Sequence, residues 1–392
     1  MSFSDSLPRS ANPPRARVRF PTLFSPTVDL LTFGGSAVLA LMMLPIGAAL
    51  GILHDETSGW TWVAAILLID VAHVYATGFR VYFDPVELRR RPWLYALTPL
   101  LAFAVGVAVY SESVPLFWSL LAYLAVFHFV RQQYGWVALY RSRENDHELW
   151  GWWVDTVTIY LATIYPLVYW HAHLPRNFSW FTAGDFVTLP PITAVILQPI
   201  YWSALLVYAT RSAYRGLKQG NWNPGKDIVV ISTVLCWYVG IITLNSDYAF
   251  TVTNVIIHGV PYMVLIYWYR WRRGEDTPPS RWQTSLGRLS LFLGVIWILA
   301  YAEELIWDCG LSHQHPWLFG WADIQGSPDA HSASGPLASA NWLAPLLAVP
   351  QITHYVLDGF IWKRSARRAH DFPDPSQSPS PPASLGPPCP LR

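Results

Sequence analysis

Four histidines lie near the middle of four separate hydrophobic segments, and each has a polar residue about one helical turn away. The pairs are Asp70/His73, His128/Gln132, Asn254/His258 and His354/Asp358. Residues three or four positions apart share one face of a helix, so each partner is expected to orient the imidazole beside it. A charged group at the centre of a bilayer costs roughly 2.5–3.5 kcal/mol, so such residues usually face the protein interior and mark a functional site.

Imidazole nitrogens and carboxylate oxygens together suit iron, and also zinc, copper and manganese. A metal-bound histidine usually gives its second N–H to a carboxylate, a carbonyl or water, which fixes the tautomer. The sequence therefore predicts a divalent transition-metal site held by His73, His128, His258 and His354. Iron is the favoured metal because histidines and a carboxylate with open positions suit O₂ activation, and haem with two axial histidines is the weaker alternative.

Carboxyl groups supply the predicted catalytic residues beside this metal. Asp70 and Asp358 are expected to act as ligands or as groups that orient the imidazoles. Glu303 and Glu304 lie in the outer half of another hydrophobic segment and are candidates for proton handling. Because they are adjacent, they cannot share one helix face, and only one is expected to point at the histidines.

A polar belt on the cytoplasmic side of the histidines is predicted to bind the head group of a substrate. It consists of Arg80, Arg131, Gln132 and Tyr134. Arginine binds phosphate or carboxylate groups bidentately where the geometry allows. In the alternative interpretation, the arginines reach the membrane interface or pair with Asp155 or Asp358.

The predicted outer loops contain a second set of histidines. These are His171, His173, His313, His315 and His331. Two H-x-H pairs on one side suit copper or zinc. Loop histidines beside tryptophan and proline are more often interfacial, so their role stays open.

The composition is typical of a polytopic membrane protein. Of the 392 residues, 53% are hydrophobic and 13% are charged, against roughly 25% charged in soluble domains. The 22 Trp and 20 Tyr fit a chain with many membrane interfaces. A net charge of +1 gives no indication of nucleic-acid binding. Membrane lipids are the expected partners.

Hydrophobic runs of about 20 residues predict an all-α, polytopic helical bundle with about ten transmembrane helices. The predicted spans are 28–52, 61–83, 93–110, 115–140, 152–170, 192–214, 227–244, 249–271, 286–307 and 341–363. They form one domain over residues 28–363. Residues 1–27 are a polar, basic N-terminal tail, and the Pro/Ser-rich residues 364–392 predict a disordered cytoplasmic tail.

Basic residues predict the orientation of these spans. Alternate loops are rich in Lys and Arg, whereas the intervening loops contain only Arg176. This pattern favours ten spans with both termini cytoplasmic. The four histidines then lie on even-numbered spans, at depths that agree within roughly 6 Å. We expect them to line one layer near the middle of the membrane.

Several motifs of other enzyme classes are absent from the sequence. It has no Walker A, GxSxG or HExxH motif, and it lacks the HxxHH boxes of membrane desaturases and the DDxxD motif of prenyltransferases. Histidines on several helices are similar in organisation to the membrane-embedded carotene-cleaving dioxygenases of bacteria.

The sequence therefore predicts a metal-dependent, oxygenase-like oxidoreductase in a bacterial inner membrane, acting on a lipid or isoprenoid. A proton-coupled transporter that uses the same residues is one alternative. A structural subunit of a membrane complex, with the polar layer joining helices, is the other.

Overall fold

The chain folds into a bundle of α-helices. The structure is a computed structural model that describes residues 20–54, 57–144, 146, 148–272, 282–320 and 341–362. No strand occurs among these residues. Apolar segments of this length form helices because a helix satisfies its own backbone hydrogen bonds, which lipid cannot do. The predicted tails, apart from residues 20–27, lie outside the described residues.

Thirteen helices are described, and we number them in chain order. They are α1 (Pro26–Ala49), α2 (Gly59–Arg80), α3 (Pro85–Arg90), α4 (Pro92–Glu112), α5 (Val114–Arg141), α6 (Leu149–Ala172), α7 (Ile192–Gln219), α8 (Pro224–Thr243), α9 (Asp247–Arg272), α10 (Trp282–Trp307), α11 (Pro316–Phe319), α12 (Leu343–Leu347) and α13 (Val349–Ile361).

Local sequence explains where several of these helices begin and end. The side chains of Ser25, Ser113 and Asn223 cap α1, α5 and α8 by accepting backbone N–H groups of the first turn. A proline follows within the first two positions of each helix, where its missing N–H costs nothing. Gly220 ends α7 with φ of 69°, a conformation that favours glycine.

Eight helices are long and apolar enough to cross a membrane, so the chain has the character of an integral membrane protein. They are α1, α2, α4, α5, α7, α8, α9 and α10. The apolar segment that begins in α10 runs from Leu286 to Ser312. The predicted span 152–170 lies in α6, whose many tryptophans and tyrosines lower its mean hydropathy. The predicted span 341–363 is divided at Ala348 into the short helices α12 and α13. The count of ten and the sides of the termini stay predictions.

Helix α9 lies at the centre of the bundle. In its apolar segment 78% of the residues are buried, whereas the corresponding value for α7 is 17%. Helices α1, α2, α8 and α10 pack against α9, while α7 packs mainly against α6 at the periphery. A side chain that projects from α9 is therefore surrounded by protein, and His258 is one of these.

Helix α2 departs from regular α-helical geometry where it enters the site. Its backbone is π-helical over Trp62–Val71, directly before His73. Wider turns of this kind rotate the residues that follow and occur frequently at functional sites. Asp70 lies inside this stretch, so the geometry of the Asp70/His73 pair depends on it.

Candidate metal centre

The four predicted histidines converge on one point inside the bundle. His73 comes from α2, His128 from α5, His258 from α9 and His354 from α13. One ring nitrogen of each lies within 4.8 Å of the corresponding nitrogen of every other. All four residues are 3% exposed or less. We call this group the four-histidine centre, and within the described residues it is the one such group of three or more ligand-type side chains.

Close contact between α2 and α9 brings two of these rings together. Gly259 follows His258, and a Cβ atom there would lie 2.6 Å from Cγ2 of Ile69 and 3.1 Å from its carbonyl oxygen. Any larger residue would therefore push α9 away from α2. This approach places Nε2 of His258 3.1 Å from Nε2 of His73.

The spacing of the nitrogens fits ligation of a single metal ion. Nε2 of His354 lies 3.1 Å from Nε2 of His128, the same separation as in the His73/His258 pair. Nitrogens bound about 2.0–2.1 Å from one metal lie about 2.8–3.4 Å from their neighbours in square or tetrahedral arrangements. The rings of neighbouring histidines meet edge to face, at angles between 66° and 89°. The centre can therefore hold a metal ion without large rearrangement.

Hydrogen-bond acceptors lie behind three of the four rings. Nδ1 of His354 is 2.7 Å from Oγ1 of Thr77. Carboxylate oxygens of Asp70 and Asp358 lie 3.6 and 3.7 Å from Nδ1 of His73 and His128, respectively. An acceptor near Nδ1 favours the tautomer with the proton on Nδ1, which leaves the Nε2 lone pair free to face the centre.

Three of the four predicted intrahelical pairs are not formed. Asp358 faces His128 of another helix rather than His354. Asn254 donates to the carbonyl oxygen of Phe250 instead of contacting His258. Gln132 is buried, and neither end of its amide has a hydrogen-bond partner among the described residues. Only Asp70/His73 is arranged as the spacing predicts, because a shared helix face does not determine which helix packs against it.

A polar chain that the sequence analysis missed extends from the four-histidine centre. The hydroxyl groups of Thr77 and Tyr262 are 3.0 Å apart, and Tyr262 is also hydrogen-bonded to Asp358. Trp362 donates to Asp358 across 2.7 Å. Thr77 follows His73 by four residues, so its position on the same helix face was the one available signal.

Aromatic rings cover two of the imidazoles. The ring of Phe129 stacks on His258 at a centroid distance of 3.5 Å. Tyr355 stacks on His128 at 4.8 Å. These contacts restrict rotation of the imidazoles and keep water away from them on those sides. Both aromatic residues directly follow a histidine in the sequence, His128 and His354.

The structure separates the two predicted glutamates. Glu303 is buried and accepts hydrogen bonds from the hydroxyl of Tyr75, at 2.6 Å, and from Trp307. Glu304 is half-buried and interacts electrostatically with Asp70. Neither glutamate belongs to the group of four ligands, and the expectation that one of them points at the histidines stays a prediction.

The predicted head-group belt is not one continuous surface. Arg80 is buried and forms an ion pair with Glu87, with a nitrogen–oxygen distance of 3.2 Å. Arg131 is exposed, donates to the hydroxyl of Tyr160 and lies over the ring of Tyr134. Arg80 therefore already has an anionic partner, whereas Arg131 and Tyr134 lie together at the surface. Neither arginine pairs with Asp155 or Asp358 in the described structure.

The outer histidines have local partners. His171 contacts the carbonyl oxygen of Leu167 and the hydroxyl of Tyr123, and His173 contacts the carbonyl oxygen of Tyr169. His313 lies in the left-handed region with φ of 55°, and His315 stacks on Trp62 at a centroid distance of 3.9 Å. No second cluster of metal ligands is found among the described residues, and His331 lies outside them.

A second buried polar group lies where α5 and α7 end and α6 and α8 begin, and we call it the ionic cluster. It consists of Arg141, Glu144, Asp146, Asp155, Arg211, Arg215 and Lys226. Lys226 lies 2.9 Å from Glu144 and 2.8 Å from Asp155. Arg141 lies 2.6 Å from Asp155, and Arg211 and Arg215 both contact Asp146. Four cations thus lie against three carboxylates, so that each cation has at least one anionic partner.

Comparison with known proteins adds no family assignment. No family model, no curated protein and no solved structure matches this chain. The chemistry must therefore be argued from the site. A buried group of imidazoles, with acceptors behind them and carboxyl groups beside them, is suited to binding a transition-metal ion.

Proposed function

We propose that this protein is a membrane-embedded, metal-dependent oxidoreductase of the oxygenase type that acts on a lipid or isoprenoid. The observation that carries the proposal is the convergence of four imidazole nitrogens within 4.8 Å of one another. Side chains that only join helices need one donor and one acceptor at each contact. Four rings directed at a common point instead resemble a coordination shell.

Iron is the metal we propose. Imidazole and carboxylate ligands suit it, and it would supply the one-electron and O₂ chemistry that amino-acid side chains lack. The protein's own contribution is to hold the imidazoles through Thr77, Asp70 and Asp358. Haem fits poorly, because neighbouring imidazole rings are only 4.5–5.1 Å apart between centroids and the rings of all four residues occupy the space that a macrocycle needs.

A lipid or isoprenoid is the proposed substrate class because the centre lies at the depth of lipid tails in the predicted topology. The side chain of Asp70, beside His73, is 31% exposed. We propose that an apolar substrate reaches the centre on this partly exposed side, beside Asp70. Arg131, Gln132 and Tyr134 remain candidates for binding a polar head group.

Residues on the cytoplasmic side argue against the transport alternative. A transporter needs a polar path from the centre to both sides of the membrane. Below the centre, the guanidinium of Arg80 lies 4.1 Å from the ring centroid of Tyr269 and 5.5 Å from that of Trp362. The Arg80–Glu87 ion pair and these two rings fill this region with protein side chains, which opposes the passage of a substrate. Access from one side suits an enzyme better than a transporter.

The number and the orientation of the membrane spans are part of the same proposal. We propose ten spans with both termini cytoplasmic, in a bacterial inner membrane, because basic residues alternate between successive loops. Under this topology, α6 and the α12–α13 segment also cross the membrane and raise the number of spans from eight to ten. The histidines then lie on spans that all run from the outer to the cytoplasmic side.

Elemental analysis of the detergent-purified protein tests the proposal. We expect about one iron per chain in the wild type, and loss of the metal in His73→Ala and His354→Ala, because each removes one ligand. His173→Ala is the matched control, since His173 is exposed and does not belong to the four-histidine centre. A well-folded wild type that stays without stoichiometric metal after reconstitution would refute the metal centre.

If the metal is present, an assay of turnover distinguishes an enzyme from a protein whose metal has only a structural role. We expect O₂ consumption by the iron-loaded protein when isoprenoids or membrane lipids are added. It should be absent in both histidine variants. Proton-coupled flux in vesicles, with no metal bound, is the result that would favour the transporter instead.

A further inference from the structure

The four imidazoles form a closed ring in which each has two neighbours. Centroids of neighbouring imidazoles lie 4.6 Å apart for His73/His258, 5.1 Å for His258/His128, 4.5 Å for His128/His354 and 4.9 Å for His354/His73. The pairs that face each other across the ring, His73/His128 and His258/His354, make no ring contact in the described structure. The group therefore has four short sides and two longer diagonals.

The packing of the helices produces this order. Helix α2 packs against both α9 and α13, and α13 also packs against α5. On the fourth side, the ring of Phe129 from α5 stacks on His258 of α9 at a centroid distance of 3.5 Å. Each side of the ring of imidazoles is thus a contact between two helices, so the order cannot change unless the helices repack.

The distances between the imidazoles distinguish a square from a tetrahedral arrangement. A nitrogen bound about 2.0–2.1 Å from a metal places the centroid of its imidazole about 3.2 Å from that metal. Four such imidazoles in a tetrahedron would have all six pairs of centroids about 5.2 Å apart, whereas a square gives four pairs at about 4.5 Å and two at about 6.4 Å. The four short sides and the two pairs without contact match the square.

No other side chain completes the ligand set among the described residues. Carboxylate oxygens of Asp70 and Asp358 approach Nδ1 of His73 and His128, whereas the nitrogens that approach one another in the middle of the centre are Nε2 atoms. Neither carboxylate belongs to the group of ligand atoms that lie within 4.8 Å of one another. A metal ion in a square of imidazoles would therefore lack protein ligands above and below the square.

We propose that the four imidazoles bind one metal ion as an equatorial square and leave its axial positions to a ligand from outside the protein, a diatomic gas of the class of O₂ and NO. The inference rests on the metal centre of the proposed function, but not on the identity of its metal. Zinc fits this order least, because structural zinc sites with four ligands are almost always tetrahedral. Iron with open positions suits O₂ activation. No bond other than metal–ligand bonds forms or breaks.

Electron paramagnetic resonance of bound Cu²⁺ tests the square, since Cu²⁺ adopts tetragonal geometry where the ligands allow it. The full-length protein is purified in detergent, stripped of metal and loaded with Cu²⁺. We expect an axial spectrum with a large parallel copper splitting and further splitting from four nitrogens. His258→Ala should lose the splitting from one nitrogen. His173→Ala, in which an exposed histidine outside the centre is replaced, should keep all four.

Nitric oxide tests the axial positions, because it is small, uncharged and able to bind a metal whose equatorial ligands are all in place. The ferrous protein, or the Co²⁺-loaded protein if iron is not retained, should bind NO and change its paramagnetic signal. All four histidines should remain bound, so that removal of NO restores the original spectrum.

The wild-type measurements decide the outcome even if His258→Ala does not fold. A strongly reduced parallel copper splitting, as a tetrahedral site produces, would overturn the square. A loaded protein that does not bind NO would overturn the open axial positions. Either result leaves the metal centre intact. Failure of the wild type to bind Cu²⁺, Co²⁺ or iron would instead refute the centre itself, and this inference with it.

Discussion

The four-histidine centre and the ionic cluster bury polar side chains in opposite ways. In the ionic cluster each cation lies against a carboxylate, as Lys226 does against Glu144 and Asp155. In the four-histidine centre the nearest neighbours of each imidazole Nε2 are other imidazoles, as at 3.1 Å between His73 and His258. In the first arrangement every cation has an anionic partner, and the second brings together lone pairs that suit a cation.

This difference separates a structural role from a functional one. Buried polar groups are tolerated when their partners are present. The ionic cluster supplies an anionic partner for each of its cations from α5 to α8 and the loop between α5 and α6. In the four-histidine centre, Thr77, Asp70 and Asp358 lie beside the Nδ1 atoms of three imidazoles. The Nε2 atoms, which face the middle of the centre, have other imidazole nitrogens as their neighbours. Substitutions in the two regions should therefore affect different measurable properties.

The largest expected effect on stability is that of Lys226→Met in the ionic cluster. The substitution takes one of two cationic partners away from both Glu144 and Asp155, and breaking a buried ion pair by removing one member costs about 3–5 kcal/mol. Resistance to denaturation in detergent should fall accordingly, and the metal content of each folded chain should stay unchanged. Lys218→Met is the control, since Lys218 is exposed in the last turn of α7. Loss of metal from folded Lys226→Met would contradict the separation of roles.

The pH dependence of stability should also originate in the ionic cluster. Burial alone would raise the pKa of Asp146, but hydrogen bonds from Arg211 and from the backbone of Glu148, and the charge of Arg141, lower it below 3.8. The folded state thus binds this proton less well than the unfolded state. The stabilisation is present above the unfolded pKa, about pH 3.8, and is lost as the pH falls through the lower, folded value.

Asp146→Asn isolates this contribution. We expect it to cost about 1.5–3 kcal/mol at neutral pH, since it removes hydrogen bonds between charged groups. Its midpoint of thermal unfolding should then decline less than that of the wild type when the pH falls from about 5 to about 2. Glu148→Gln, in an exposed side chain of the same loop, should follow the wild-type profile. Parallel profiles for Asp146→Asn and wild type would argue against this assignment.

Thr77→Val should have the smallest effect on stability and a specific effect on metal binding. It removes the hydroxyl 2.7 Å from Nδ1 of His354 but keeps the shape of the side chain. Losing a group that orients a ligand typically weakens metal affinity about 10–100-fold. Competition with a chelator measures this change. Thr163→Val is the control, because Thr163 is fully buried and bonds only within α6. An unchanged affinity would show that Thr77 does not hold His354 in place.

Much of the site was predictable because membrane burial restricts which residues are allowed. Histidines and carboxylates inside hydrophobic segments are rare, so their presence alone indicated a polar interior site. Comparable distances from the outer ends of α2, α5, α9 and the last segment predicted one layer. The convergence of His73, His128, His258 and His354 agrees with that prediction.

The partners of the histidines were not predictable in the same way. A separation of three or four residues shows that two side chains share a helix face, but not which neighbouring helix meets that face. Asp358 therefore orients His128 across the interface rather than His354 beside it. Thr77 and Tyr262 each follow a histidine of the centre by four residues, but this spacing alone does not show that their hydroxyl groups meet.

The sequence by itself determined the helical character of the chain and the composition of the four-histidine centre, because hydrophobic length and buried ionisable groups are local properties. Tertiary structure alone decided the division of the last predicted span at Ala348, the pairing of Arg80 with Glu87 and the tight approach of α9 to α2 at Gly259. These depend on which helix faces pack together, and packing is settled by the shapes of residues far apart in the chain.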